Sequence, residues 1–254
     1  MKIDVLTIFP DIFSSYLGTS FIKKAQDKKI LEIRLRDIRQ SCEDARKSVD
    51  DRPFGGGLGM VLKVEPILKT LKKFLKLDFK GSKIKIAGPL KKGKAGLKEE
   101  KTKIILFTPR GKQFTQKMAY RLSKMDRLVM ICGRYEGVDE RVAKNIADME
   151  ISIGPYDLMG GEIPAMAAIE SIARLIPGVL GKEVFLKERI SKRKGFIEGP
   201  QYTRPEIFDP GKIIKGKREL LSKPKLWRVP KVLLSGDHKK IGEWKKDRQK
   251  DILE

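Results

Sequence analysis

The stretch that decides the fold runs from Leu128 to Leu180 and reads LVMICGRYEGVDERVAKNIADMEISIGPYDLMGGEIPAMAAIESIARLIPGVL. It contains two short apolar runs, Leu128–Ile131 and Met149–Ile153, and each run ends in a glycine-rich turn that carries polar side chains. A helix pattern follows each turn. The order strand, glycine turn, helix therefore occurs twice, which is typical of an α/β sheet. Because ligands of such sheets bind at the loops after the carboxyl ends of the strands, these two turns are the candidate ligand site.

The N-terminal part of the chain predicts further strands of the same sheet. Lys2–Phe9 and Ile30–Arg36 read as strands with helix patterns between them, and this β-α-β order favours a parallel sheet with crossover helices. Lys103–Thr108 reads as a buried strand that Pro109-Arg110-Gly111 closes. Glu65–Leu77 has the apolar stripe of an amphipathic helix.

Length and composition indicate a globular protein of 254 residues with 40% hydrophobic residues. No apolar run is long enough to span a membrane, and the N-terminus lacks a signal-peptide pattern, so we expect a cytoplasmic protein that does not associate with membranes. Two cysteines and one histidine rule out a disulfide framework and effectively exclude zinc sites of the cysteine/histidine kind.

The charge is strongly one-sided. The chain carries 56 Lys and Arg against 33 Asp and Glu, a formal net charge of +23. Such a charge attracts polyanions, and nucleic acid is the first candidate; an anionic membrane surface is a weaker alternative. The excess of positive charge continues beyond Leu180, where the composition also changes. This shift predicts three regions: an α/β domain at 1–180, a basic linker at 181–195, and a small helical domain at 196–254.

Two other segments invite a ligand interpretation. Val49–Met60 contains four glycines within five positions, and a structural turn is slightly favoured over a ligand contact. Within it, the flanking acids allow Arg52 either an ion pair or a phosphate contact. Lys80–Lys103 carries nine lysines and is predicted to be a mobile basic loop. Its Gly88–Ala95 segment nearly matches a phosphate-binding loop, but Ala95 replaces the hydroxyl residue that would hold magnesium, so we reject that match.

The turns after the strands offer binding chemistry rather than a catalytic constellation. They contain no nucleophile–base pair and no cluster of metal ligands. Glycines, backbone amides, tyrosines and small apolar groups suit a purine-bearing ligand. The alternative is that the glycines form tight turns and that Tyr135 and Tyr156 belong to the core.

Three motifs in the deciding stretch resemble those of bacterial tRNA (guanine-N1)-methyltransferases of the TrmD type. They are GRYEG-x-DER at 133–141, SIG-x-Y-x-L-x-GGE-x-PAM at 152–166 and R-x-IPGVL at 174–180. The segments DDRPFGGG at 50–57, QYTRPE at 201–206 and VLLSG at 232–236 also match, so the resemblance covers almost the whole chain. It implies a SPOUT fold, namely an α/β domain with a parallel sheet and a deep C-terminal trefoil knot, followed by a small helical C-terminal domain. It also implies an obligate homodimer with a shared active site.

The resemblance implies methyl transfer from S-adenosylmethionine to N1 of the guanine 3′ of the anticodon in tRNA. Two alternatives remain open: a related methyltransferase that modifies another RNA, and a non-catalytic basic RNA-binding protein of the same fold. Some members of the family need magnesium during catalysis, although the sequence contains no ligand cluster for it.

The resemblance also assigns residues to the cofactor, and departs from the family at two positions. Leu106 stands where a tyrosine is common, and Leu58 replaces a usual proline. The implied cofactor contacts are Leu106, Phe107, Thr108, Pro109, Gly133, Tyr135, Glu136, Gly137, Ser152, Ile153, Gly154, Tyr156, Leu158, Gly160, Gly161 and Pro164.

Two residues are implied in catalysis. Guanine N1 carries a proton at neutral pH, so a base must remove it, and negative charge then builds on O6. The family's arginine for O6 falls on Arg174, although Glu170 at i−4 allows a plain helix ion pair instead. The family's base falls on Glu188, although an ungapped alignment places Arg189 there. Implied contacts with RNA are Arg52, Ser191 and Arg204.

Overall fold

The structure is a computed structural model that describes residues 1–81, 83–86, 90–93, 96–180, 190–191, 195–214 and 225–252. The chain folds as two compact units, Met1–Lys187 and Glu188–Glu254. None of the helices in the described ranges has the length and apolarity needed to cross a membrane.

The first unit is built on a parallel sheet. Its described strands are β1 (Lys2–Thr7), β2 (Glu32–Asp37), β3 (Asp50–Asp51), β4 (Val61–Leu62), β5 (Leu77–Lys80), β6 (Lys83–Ile86), β7 (Leu90–Gly93), β8 (Gly96–Glu99), β9 (Thr102–Gln113), β10 (Arg127–Cys132) and β11 (Met149–Ser152). Five of them form the central sheet in the order β11-β9-β10-β1-β2, and every neighbouring pair is parallel. The predicted parallel α/β architecture is confirmed.

Helices cover the sheet. They are α1 (Ser14–Leu17), α2 (Ser20–Asp27), α3 (Val64–Lys72), α4 (Gln116–Leu122), α5 (Glu140–Asn145) and α6 (Glu162–Ala173), with 3-10 turns at Pro10–Phe13 and Ile38–Ser41. All six residues of β10 are buried, which is the continuous apolar pattern of a parallel strand covered on both faces. Apolar side chains of α3 and α5 share one core cluster with residues of β1, β9 and β10.

A buried carboxylate lies inside the sheet. Asp4 is 1% exposed and lies on β1. It accepts hydrogen bonds from Arg36 at 2.8 Å and from Arg127 at 3.0 Å. A buried carboxylate requires such partners, and these two contacts tie β1 to its neighbours on both sides.

Three predictions about elements are wrong. β9 does not end at Pro109 but continues to Gln113. The segment expected to be a mobile basic loop instead contains two antiparallel hairpins, β5–β6 and β7–β8. The helix expected over Glu65–Leu77 is α3, which ends at Lys72. Leu77 is not helical and instead begins β5.

The second unit mixes helices with short antiparallel ladders. Its described helices are Gly211–Ile214, Lys231–Leu234 and His238–Arg248. Phe196–Glu198 pairs with Lys250–Ile252, and Ile207–Phe208 pairs with Trp227–Arg228. Two aromatic contacts hold these pieces together, Tyr202 with Trp244 and Phe208 with Trp227. The region predicted to be a small helical domain thus also contains antiparallel strands.

Candidate cofactor and substrate site

A cavity of about 290 Å³ opens in the first unit beside three adjacent strands of the sheet. Its walls come from the segments 106–110, 133–140 and 151–164. The second and third segments contain the turns that follow β10 and β11, and the first segment lies within β9 between them. The cavity therefore lies where ligands of parallel sheets are expected.

The wall from β9 is a large irregularity in the sheet. Glu150 pairs with Leu106, whereas the next residue, Ile151, pairs with Lys112. Residues 107–111 consequently bulge out of the ladder and reach the cavity. The ladder resumes through a close backbone approach, because a Cβ atom added to Gly111 would lie 2.5 Å from the backbone nitrogen of Ile151. Glycine is required at that point.

The turn after β10 has a constrained backbone. Tyr135 has a φ of +61°, which is unusual for a residue with a bulky side chain, and Gly137 has a φ of +125°. The β3–β4 hairpin fastens this turn from outside. The amide of Glu136 donates to the carbonyl oxygen of Met60 at 3.0 Å, and the amide of Leu62 donates to that of Gly137 at 3.0 Å. The glycine loop of the hairpin thus lies beside the cavity turn.

The turn after β11 is closed by its own side chains. The Ser152 hydroxyl donates to the carbonyl oxygen of Gly154 at 2.9 Å and accepts from its amide at 3.2 Å. The Tyr156 ring lies directly against Gly154, where a Cβ atom would collide with it. Tyr135 and Tyr156 are 47% and 54% exposed, so the alternative that they belong to the core is wrong.

A buried ion pair joins the first turn to the helix that follows the second. Glu162, in the first turn of α6, is 1% exposed. Its carboxylate accepts from Arg134 Nε at 2.9 Å and from the Thr7 hydroxyl at 2.7 Å. The Arg134 guanidinium also lies 4.7 Å from the centre of the Phe9 ring. Burial, with a contribution from the charge of Glu162, raises the pKa of the nearby Cys132 thiol well above its ordinary value. That thiol therefore stays protonated.

Charged groups at the rim are paired with one another. Arg110 forms ion pairs with Glu140 and, at 3.0 Å, with Glu150. Asp139 caps α5 by accepting from the amide of Arg141 at 2.9 Å. A hydrogen bond from the Arg141 guanidinium is the main cause that holds the pKa of Asp139 below its ordinary value. The ion pairs of Arg110 fix the positions of β9, β11 and α5 relative to one another beside the cavity.

All sixteen residues that the resemblance assigns to the cofactor line this one cavity. The sequence prediction missed seven further residues, which lie between or next to the predicted ones in the same segments. They are Arg110, Arg134, Val138, Glu140, Ile151, Asp157 and Met159. Adjacency in the sequence is the signal that could have found them.

Arg174 lies away from the cavity. It is the C-cap of α6, whereas Pro164 lines the cavity at the other end of that helix. Ten residues of α-helix separate them, or about 15 Å along the axis, which exceeds the reach of an arginine side chain. Glu170, the alternative partner of Arg174, accepts a hydrogen bond from the Tyr16 hydroxyl at 2.5 Å. Burial, followed by this bond, raises the pKa of Tyr16 well above its ordinary value.

The remaining predicted residues are scattered. Glu188 lies outside the described residues. Ser191 is buried, and its hydroxyl accepts from the amide of Gly195 at 3.0 Å. Arg204 is exposed in the second unit. Arg52 is exposed in the first unit, and within the part of the chain that the structure describes neither flanking aspartate forms an ion pair with it.

Comparison with known proteins gives one consistent result. The family model described as tRNA (Guanine-1)-methyltransferase TrmD matches residues 1–252. A protein of Dictyoglomus turgidum is 43% identical over 253 residues, which cover 100% of this chain and 85% of that protein. Proteins of Alkaliphilus oremlandii and Geobacillus kaustophilus are each 42% identical, covering 99% and 100% of this chain and 88% and 87% of their own lengths. All three are named tRNA (guanine-N(1)-)-methyltransferase.

Proposed function

The chain belongs to the tRNA (guanine-1)-methyltransferase family, and from that premise we propose that it methylates N1 of the guanine 3′ of the anticodon, with S-adenosylmethionine as the methyl donor. One observation carries the proposal. The residues that the family resemblance assigns to the donor are drawn from three separate segments of the chain, and all of them line one cavity.

The cavity has the chemistry that a purine-bearing donor needs. Its volume of about 290 Å³ is close to the lower end of the roughly 300–1,000 Å³ typical of small-molecule sites. Gly137 has no heavy atom within 4 Å of the position where a Cβ would stand, so a ligand can approach its backbone. Leu106, Ile153 and Leu158 supply apolar walls, and Tyr135 and Tyr156 supply exposed rings. When bound there, the donor supplies an electrophilic methyl group.

The catalytic residues act on the guanine. Glu188 removes the N1 proton, which turns that nitrogen into a nucleophile. Arg174 stabilises the negative charge that develops on O6. Since Arg174 lies about 15 Å along α6 from the cavity of its own chain, it acts in the cavity of a second copy. The enzyme is therefore a homodimer with a shared active site. Exposed apolar side chains near the start of α6, with Ile163 at 57% and Met159 at 88%, support this assembly.

The chain path around the cavity supports a trefoil knot. The amide of Gly161 donates to the carbonyl oxygen of Gly133 at 2.9 Å, so the segment that enters α6 passes against the end of β10. The backbone of Gly111 also lies so close to Ile151 that an added Cβ atom would be 2.5 Å from the Ile151 nitrogen. In the sheet, β9 lies between β11 and β10. The chain that leaves β11 must therefore cross the end of β9 before Gly161 reaches Gly133.

The other parts of the proposal concern RNA and metal. The domain at 1–180 holds the donor, and the linker at 181–195 and the region at 196–254 bind tRNA in the cytoplasm. Arg52 and Arg204 contact phosphates, and Ser191 contacts the RNA. Some members of the family need magnesium during catalysis, and titrating magnesium in the assay tests whether this chain does; among the described residues no three His, Cys, Asp or Glu side chains are grouped to hold it.

Methylation of transcript variants tests the proposed function. The protein is incubated with S-adenosylmethionine and tRNA transcripts that carry, or lack, guanine at the position 3′ of the anticodon and at the position before it. We expect 1-methylguanine at the former position in transcripts with both guanines, and none when either is replaced. A methyl group on another atom or on another RNA would refute the proposed target.

A further inference from the structure

The β5–β6 hairpin is anchored to the core by one of its faces. Leu77, Ile84 and Ile86 are partly buried and pack against the core cluster that includes Val142 of α5 and Ile146 at its C-cap. The register pairs Leu77 with Ile86 and Phe79 with Ile84, so these four side chains share one face of the hairpin. The hairpin is consequently held against α5, whose first residue, Glu140, lines the cavity.

Two lysines form a cross-strand pair at the tip of the hairpin. Lys80 and Lys83 are directly opposite in the antiparallel register, and both are exposed. Like charges in directly opposed cross-strand positions destabilise a sheet. Among the described residues, no carboxylate lies within ion-pair distance of Lys80, of Lys83 or of nearby Lys76. The fold therefore tolerates a repulsion that no ion pair among the described residues offsets.

The next hairpin repeats this arrangement. The register of β7–β8 places Lys91 opposite Lys98. Two consecutive hairpins thus carry lysines at directly opposed positions, in a region where the chain has nine lysines between 80 and 103. The unfavourable opposition of Lys80 and Lys83 is explained if a negatively charged partner lies against it. The regularly spaced phosphates of a nucleic acid provide that charge.

An exposed aromatic ring lies on the opposite face of the same hairpin. Phe79 is 71% exposed, although it lies on the face whose other members pack on the core. Because side chains alternate along a strand, Phe79 faces away from Lys80 and Lys83 and is not part of the lysine surface. The charge pattern and the anchoring of the hairpin point to a polyanionic partner.

We propose that the β5–β6 hairpin is a contact surface for the tRNA substrate, in which Lys80 and Lys83 together bind backbone phosphate. The inference rests on the proposed function for the identity of the RNA. It adds a binding surface in the first unit, outside the cavity and outside the residues already assigned to RNA.

A paired-lysine variant tests the proposal. K80A/K83A is compared with K28A/K117A, which removes the same charge from exposed positions on α4 and after α2. Binding of full-length tRNA is measured over a series of salt concentrations, together with methyl transfer. For K80A/K83A we expect Kd and KM for tRNA to rise about tenfold near ~0.1 M salt, and the slope of log Kd against log salt to fall by about 2. The kcat at saturating tRNA and the affinity for S-adenosylmethionine should match the wild type.

The same variants separate binding from folding. Removing opposed like charges should leave the unfolding temperature of K80A/K83A equal to or above that of the wild type. Equal tRNA affinity and equal salt slopes for the two variants would overturn the proposal. So would a K80A/K83A protein that loses binding to vesicles of anionic phospholipid while holding tRNA like the control. A wild type that binds tRNA but transfers no methyl group would refute the proposed function instead, because the binding comparison does not depend on catalysis.

Discussion

Glu162 is a carboxylate with almost no exposure that forms an ion pair with Arg134 and accepts a hydrogen bond from Thr7. Its burial requires those contacts, since an unpaired charge in such a place is strongly destabilising. The pair also joins the turn after β10 to the start of α6, and both of these line the cavity. Arg134 is therefore a positioning residue for the cavity.

Removing the Arg134 side chain should lower the free energy of unfolding. Arg134→Ala leaves Glu162 with the Thr7 hydroxyl as its remaining contact, and we expect a loss of about 3 kcal/mol in the free energy of unfolding. Arg121→Ala, at an exposed position on α4, should change it by less than about 0.5 kcal/mol. Denaturant unfolding monitored by circular dichroism makes the comparison. Equal stabilities for the two variants would mean that the ion pair does not hold the cavity together.

Glu188 carries the proton transfer in the proposed mechanism. Glu188→Gln keeps the shape of the side chain but cannot accept the N1 proton, so turnover should fall at least about 100-fold. Affinity for S-adenosylmethionine should stay unchanged. Glu183→Gln, in the same linker, serves as the matched control and should remain active. Normal turnover of Glu188→Gln in a single-turnover methylation assay would place the base elsewhere.

At the residue scale, the sequence predicts the cavity wall better than the catalytic groups. Most of the sixteen assigned residues stand in turns whose glycines and tyrosines follow strands, and four lie in β9, so local pattern and resemblance agree on them. The sequence prediction missed the ion pairs of Arg134 and Arg110, because their partners, Glu162 and Glu150, lie far away in the chain. No local pattern contains such a pairing.

At the scale of elements, strand ends were the least predictable feature. Pro109 and Gly111 normally end a strand, yet β9 continues because β11 pairs with it on both sides of the bulge. In the lysine-rich segment, the alternation of Leu77 with Phe79 and of Ile84 with Ile86 is a period-two pattern. The high lysine content concealed that pattern and led to the incorrect prediction of a loop.

Gly161 tests whether close contact between elements shapes the cavity. Its φ of −81° suits alanine, but an added Cβ would lie 2.7 Å from Cys132 Cα, so β10 and α6 would have to separate. We expect Gly161→Ala to lose about 2 kcal/mol of stability and to bind S-adenosylmethionine more weakly. Gly242→Ala, in a helix interior with open space around it, should instead gain about 0.5–1 kcal/mol.

Thermal unfolding and titration of the donor measure both effects. A Gly161→Ala protein with wild-type stability would show that α6 and β10 can move apart at no cost. That outcome would remove the argument for a rigid cavity wall.

At the scale of the whole molecule, the length of α6 separates the cavity from Arg174, so the proposed mechanism requires two copies. Two inactive variants should complement each other. Arg174→Ala removes the arginine, and Leu158→Trp fills the cavity. Neither should transfer methyl groups by itself.

After subunit exchange, half of the dimers contain one intact site, so the mixture should recover about a quarter of wild-type activity. A methylation assay before and after mixing measures this recovery. If Arg174 instead served its own cavity, no combination of these two chains would contain an intact site, and the mixture would stay inactive.

The central claim is that the turns after β10 and β11, with the bulge of β9, enclose a methyl donor. Isothermal titration of S-adenosylmethionine into the wild-type protein tests it most directly, with Leu158→Trp as the blocked-cavity control. We expect saturable binding of S-adenosylmethionine to the wild type and none to Leu158→Trp. Absence of binding to the wild type, or equal binding to both proteins, would contradict it.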